Sequence, residues 1–289
     1  MLNTPKAVFV ALALIVAVNA CLFWLYYLPR TTTAAVVVAA GDIAACTSDG
    51  DETTAKLLKG IEGTVLTLGD NVYENGTAKE FADCYDPTWG QVKLRTNPVP
   101  GNHEYHTEGA EDYFDYFGEA AGEPDEGYYS YDLGEWHIVA LNSNCEEIGC
   151  DSASPQVRWL RADLAANEDK ACTLAYFHHP LFTSGLHRPG APEVKPLWEA
   201  LYAEGTDVVL NGHDHNYQRF VSGAGVTYVV TGGGGKQLYP VRRCPAGTPP
   251  RVAAFARNHF TAVVVRERSL TVLAVAADGR VLDRAVIRR

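Results

Sequence analysis

The stretch Thr64-Val65-Leu66-Thr67-Leu68-Gly69-Asp70-Asn71-Val72-Tyr73 decides how the chain is read. Its first five residues are too few for a helix and lack the polar alternation of a half-exposed strand, so they predict a strand buried on both faces. The run stops at a glycine, which permits a tight turn, and the turn delivers an acid, an amide and a phenol. The same arrangement recurs on either side: residues 35–40 lead into Gly41-Asp42, residues 173–177 into His178-His179-Pro180, and residues 207–210 into Gly212-His213-Asp214-His215. A fifth glycine-led cluster is Gly101-Asn102-His103-Glu104, and further apolar runs lie at 136–141 and 226–230. Helical patterns fall between them at 52–61, 110–117, 155–166 (with Pro155 in the first turn) and 193–203. Strand and helix alternate, which predicts an α/β fold, and in open α/β sheets ligands bind beyond the carboxyl ends of the strands. Five loops are therefore expected to converge on one crevice. Near the C-terminus the pattern changes to consecutive strands at 261–265, 270–276 and 280–287, the last two joined by the hairpin signal Asp278-Gly279. These imply a second, more antiparallel sheet.

Composition narrows the function classes. The chain has 289 residues, 47% hydrophobic and 20% charged, which excludes disorder as the main state. A formal net charge of −11 argues against holding nucleic acid through phosphate neutralisation. Residues 7–28 carry no charge and would span about 33 Å as a helix, against a bilayer core of about 30 Å. Aromatic residues at 23–27 suit the outer interface, so residues 1–30 read as an uncleaved signal anchor, with cleavage before Cys21 as the alternative. Lys6 would stay in the cytoplasm and residues 31–289 would form one domain outside it, periplasmic, at the cell surface or secreted. Six cysteines remain beyond Cys21, an even number suited to disulfides in an exported domain. Cys145 and Cys150 enclose a short polar loop and are the expected pair, with at least one further bond closing a longer loop. A thiolate zinc site lacks the necessary Cys-x-x-Cys spacing.

The strand-end residues supply carboxylate, amide, phenol and imidazole donors without thiolate, a set suited to Fe, Mn or Zn more than to Ca or Mg. A pair of ions about 3.5–4 Å apart needs a shared ligand, which a carboxylate at the end of a central strand can provide. In this order the motifs resemble those of calcineurin-like metallophosphoesterases, over roughly residues 36–235. Many members carry Asp-x-His in the first motif. Here Asp42 is followed by Ile43 and Ala44, and Tyr73 stands three residues after Asp70, an exchange similar to that in the purple acid phosphatases. The resemblance implies an α/β/β/α sandwich of two mixed sheets flanked by helices. It further implies Asp42, Asp70, Tyr73 and His215 on a ferric ion in the first site. Asp70, Asn102, His178 and His213 would hold Fe(II), Zn or Mn in the second, with Asp70 bridging. His178 is preferred to His179 as the ligand because a proline two residues on marks it in the family. His103 and His187 match the substrate-contacting and proton-donating histidines, with His187 nine residues after His178 as in the mammalian-type enzymes; Asn102 would also orient the substrate. Ala44 departs from the glycine usual in purple acid phosphatases and leaves every ligand in place.

The expected function is hydrolysis of small phosphate monoesters at a dinuclear metal centre. Phosphodiester or nucleotide hydrolysis on the same centre, and a surface-anchored phosphate- or metal-binding protein without turnover, are the alternatives. No Gly-x-Ser-x-Gly or His-Glu-x-x-His occurs, which removes the obvious serine-hydrolase and zincin readings. Residues 231–236 imitate a phosphate loop but place Gln237 where Ser or Thr is needed, so the glycines are read as a close backbone approach near the site. Eight acids between Glu108 and Glu126 read as a solvated face, and His106, His137 and His259 as structural or surface histidines.

Overall fold

The computed structural model of the chain describes residues 35–222, 225–266 and 269–288. The expected N-terminal anchor lies outside the described residues; among the latter, no helix is long and apolar enough to cross a membrane. Numbering strands along the chain, β1 (Ala35–Ala40), β3 (Thr64–Leu68) and β5 (Thr96–Val99) pair in parallel to form half of the first sheet. A two-stranded ribbon of β2 (Ala44–Ala45) and β4 (Val72–Tyr73) lies just beyond the ends of β1 and β3. In the second sheet, β7 (Trp136–Ala140), β8 (Cys172–Phe177), β9 (Val208–Asn211) and β11 (Thr227–Thr231) run parallel. Antiparallel β6 (Tyr129–Leu133) joins one side and β10 (Tyr217–Val221) with β12 (Arg251–Phe255) the other.

The two sheets face each other across an apolar layer. Val37, Ala39 and Leu66 from the first meet Ile138, Leu174 and Leu210 from the second, all essentially without exposure. Each of the Val, Leu and Ile side chains contributes about 1.5–3 kcal/mol by leaving water. The outer face of the first sheet is covered by α1 (Gly50–Leu58) and by aromatic segments that include α2 (Glu111–Phe117). The outer face of the second is covered by α3 (Pro155–Ala166), capped by Ser154, and α4 (Lys195–Ala203). The layers are therefore helix, sheet, sheet, helix, as expected.

The C-terminal strands correct the sequence reading, because they extend the first sheet instead of building another. β13 (His259–Arg266) pairs antiparallel with β1, and β14 (Ser269–Ala276) and β15 (Val281–Arg288) follow it outward. Seven of the eight residues of β13 are buried, so it needs cover on both faces, and only the middle of the sandwich provides that. Pairing there also closes an edge of β1 that would otherwise leave backbone groups unpaired inside the molecule. The Asp278-Gly279 hairpin forms as expected, with Gly279 at φ 82°.

Two disulfides occur among the described residues, Cys46–Cys84 and the expected Cys145–Cys150. The first ties the ribbon beside β1 to the segment following β4 across 38 residues, which meets the expectation of a longer closed loop.

Candidate metal centre

All five loops reach one crevice at the carboxyl ends of the parallel strands. Asp42, Asp70 and His213, each two residues beyond the ends of β1, β3 and β9, adopt left-handed backbone at φ 61°, 49° and 68°. That region is costly for residues with a Cβ and is tolerated best by Asp and Asn, so three of the expected ligands sit at bent strand ends. Neighbouring glycines permit the crowding. A Cβ on Gly101 would lie 2.2 Å from Asp70 Oδ1, and one on Gly232 would lie 2.3 Å from Asp42 Oδ2, so the glycine run 232–235 does form a close backbone approach to the site.

The donors fall into two groups that meet at one atom. In the first, Tyr73 Oη lies 2.9 Å from Asp42 Oδ1, 2.9 Å from Asp70 Oδ2 and 3.1 Å from His215 Nε2. In the second, His178 Nε2 lies 3.2 Å from Asn102 Oδ1, 3.1 Å from His213 Nδ1 and 3.4 Å from Asp70 Oδ2. The outer nitrogens of two of these imidazoles are fixed, since His178 Nδ1 donates to Leu68 O at 2.8 Å and His215 Nδ1 to Gln237 O at 2.6 Å. In the neutral rings both Nε2 atoms therefore present lone pairs to the centre.

This arrangement leaves lone pairs facing lone pairs. The single phenolic proton of Tyr73 is offered to three acceptors, and Asp42 Oδ2 is buried without a hydrogen-bond partner. Cations placed among the donors would satisfy both groups, so the residues present fit a pair of metal ions. The proton equilibria show the same demand. Burial pushes Tyr73 well above the usual phenol range, and the Asp42 and Asp70 carboxylates push it further. Burial would lower His178, but Asp70 and Asp42 outweigh it and hold the imidazole at about 9, so a proton supplies the charge. His213 is held well below its ordinary value by burial and by His178, His179 and His187, and so keeps a free lone pair.

The remaining expected residues stand at the rim. His103 donates from Nδ1 to Glu74 O at 2.6 Å and holds Nε2 3.8 Å from Asp70 Oδ2. His187 lies with its ring 4.0 Å from that of His213. His179 is also close, 4.7 Å from the His213 ring, with Nδ1 against Ser143 Oγ at 2.9 Å, while His178 is the one in contact with Asp70 and Asn102. His106, read as structural or surface, is exposed but shares the Glu74 carbonyl with His103, at 3.0 Å. His137 is buried against Asp132 and Asp163, and His259 is buried beside Thr231 and Gly233 behind the crevice; the acids of 108–126 are exposed apart from the half-buried Asp112.

Sequence reasoning assigned no role to Glu104, Asp214 or Tyr239. The fully buried Glu104 carboxylate accepts backbone N–H groups of Asp70, Asn71, Val72 and Gly101 at 2.7–3.3 Å, clamping two ligand loops together. Burial and the neighbouring Asp70 charge push its carboxyl up to about 7. Asp214, between two expected ligands, accepts from Leu186 N at 2.7 Å and His187 N at 3.3 Å, and so holds the loop that carries His187. Tyr239 stacks on His215 at 3.9 Å. Glu104 was quoted within the Gly101-Asn102-His103-Glu104 cluster, but no spacing rule marked it as a clamp.

A family model described as calcineurin-like phosphoesterase matches residues 35–217. The chain is 28% identical over 244 residues to purple acid phosphatase 15 of Arabidopsis thaliana, covering 70% of this chain and 45% of that protein, so it spans about half the length of that relative. It is 25% identical to tartrate-resistant acid phosphatase type 5 of Mus musculus, with 78% of each covered. Among solved structures, purple acid phosphatase PPD1 of yellow lupin superposes with a TM-score of 0.72 at 18% identity, over 90% of this chain and 55% of that one. GAP50, the anchor in the inner membrane complex of Plasmodium, superposes at 0.68 with 12% identity over 89% of both chains. At those identities the two structures show the fold alone.

Proposed function

The chain belongs to the calcineurin-like phosphoesterases, and from that premise we propose that it hydrolyses phosphate monoesters at a dinuclear metal centre. The observation that carries the reading is Asp70 Oδ2, a single atom 2.9 Å from Tyr73 Oη in one donor group and 3.4 Å from His178 Nε2 in the other. Asp42, Tyr73 and His215 would complete a site for Fe(III), and Asn102, His178 and His213 one for Fe(II), Zn or Mn. A phenolate is a hard anionic donor suited to the ferric ion. Such a pair of ions, when bound, lowers the pKa of water and offsets charge developing on phosphoryl oxygens.

The chain's own groups orient the ester and manage its protons. His103 is locked by the Glu74 carbonyl with Nε2 over the Asp70 side of the crevice, where in its protonated form it donates to a phosphoryl or leaving-group oxygen. His187 stands with its ring 4.0 Å from that of His213, on a loop fixed by Asp214. Asn102 faces His178 through Oδ1, leaving its amide N–H groups for the substrate. The two disulfides support an oxidising compartment, and we place the domain outside the cytoplasm, held to the membrane by residues 7–28. A C-terminal reporter active only in the cytoplasm should stay silent; a working one contradicts the placement.

The substrate class is tested by turnover of 4-nitrophenyl phosphate against bis(4-nitrophenyl) phosphate on the iron- and zinc-loaded protein. A higher kcat/KM for the monoester is expected. Preference for the diester would move the assignment to a phosphodiesterase.

A further inference from the structure

Lys236 ends the glycine run and has no part in the function as proposed. Its ammonium stands 4.4 Å from the centroid of the Tyr73 ring, with the side chain 15% exposed. Backbone N–H groups of Gly235 and Lys236 both donate to Asp42 O at 3.0 Å, which seats the loop on the turn that carries a ligand. A Cβ on Gly235 would lie 2.4 Å from Asp51 N and 2.5 Å from Ile43 O, so only glycine allows the loop this close. Lys236 Nζ also pairs with the Glu74 carboxylate, but that side chain is 62% exposed and its charge is better screened by water. The ammonium is thus a charge carried by a mostly buried side chain onto the face of an aromatic ring.

We propose that Lys236 sets the donor strength of Tyr73 toward iron in the first site, making the phenolate a weaker donor and biasing the ion toward its reduced state. The inference rests on Tyr73 being an iron ligand, as proposed above. A positive charge against the ring lowers the energy of the phenolate's donor electrons. Removing it raises them, so the phenolate-to-iron transition moves to longer wavelength. A stronger phenolate donor and the loss of one nearby positive charge both favour Fe(III), so the potential for one-electron reduction to Fe(II) falls.

The test uses the protein loaded with iron in the first site and zinc in the second, so that the visible band and the midpoint potential both report the ion Tyr73 would hold, the electron being supplied by a dithionite titrant. Lys236→Met should shift the band to longer wavelength and lower the potential, whereas Lys236→Arg, which keeps the positive charge, should leave both near the wild-type values. Glu74→Gln, which removes the anion opposing the ammonium, should move both in the reverse direction and carries the test should Lys236→Met not fold. A coloured wild type whose band and potential stay put in Lys236→Met, or in Glu74→Gln where that variant carries the test, overturns the inference alone. A colourless wild type, or a band that survives Tyr73→Phe, overturns Tyr73 as a ligand and the inference with it.

Discussion

Asp70 Oδ2 joins the two halves of the crevice, and the consequences of changing it should differ from those at any other donor. Asp70→Ala is expected to lose both metals by elemental analysis, whereas Asn102→Ala should empty mainly the second site; two ions retained in Asp70→Ala would contradict the bridge. Glu104 tests a different kind of contribution, because it touches the ligands only through their backbone. Glu104→Gln sets an amide N–H against backbone donors, with an expected loss of about 1.5–3 kcal/mol in urea denaturation and weaker metal retention. An unchanged midpoint would make the clamp dispensable. Of the expected ligands, Asp42, Asp70, Asn102, His178 and His213 were legible because each directly follows a glycine or an apolar run, whereas Tyr73 and His215 came with the resemblance; the structure gathers all seven side chains in one crevice. Glu104, Asp214 and Tyr239 were not legible, because accepting backbone N–H groups or stacking on a ring leaves no spacing rule in the sequence.

At the level of elements, His137 on β7 binds its hairpin to a helix. Its Nδ1 lies 3.1 Å from Asp132 Oδ1 on β6 and its Nε2 2.7 Å from Asp163 Oδ2 on α3. Burial would lower this imidazole, but the bonds to Asp163 and Asp132 outweigh it and raise it above 6.5. A raised folded-state value stabilises fully below the unfolded value and loses its contribution as pH climbs through the folded one. His137→Asn should therefore be destabilised most at pH 5, by about 1.5–3 kcal/mol for the charged hydrogen bonds, with the gap to wild type narrowing at pH 9. A gap independent of pH would show that the ring acts by packing alone. The Cys46–Cys84 bond, closing 38 residues, is expected to contribute about 4 kcal/mol through loop entropy, against about 2 kcal/mol for Cys145–Cys150, closing 5. Paired Cys→Ala variants followed by thermal unfolding would rank them, and a reversed order would contradict the chain-entropy account.

Three of the strands missed in the sequence share a cause. β5, β6 and β12 are all at sheet edges, where one side needs no partner and polar residues or Pro98 can sit, so the continuous apolar run is lost. β10 is internal but carries Gln218 and Arg219, the latter paired with Asp283 at 2.6 Å, a compensation invisible without the fold. Helix boundaries shifted for similar local reasons, as where Pro192–Val194 forms a tighter turn before α4.

Across the whole molecule, two sheets bury their faces against each other so that strands from both deliver the expected ligands to the same end, β1 and β3 from one, β8 and β9 from the other. The metal pair would thus bridge the sandwich, and metal loading should raise the unfolding temperature by mass action on the native state. Phosphomonoester turnover followed as metal is titrated into the metal-free protein tests the central claim most directly. The account predicts that 4-nitrophenyl phosphate hydrolysis rises with the second equivalent and levels off at two ions per chain. Two ions bound with no turnover would contradict it.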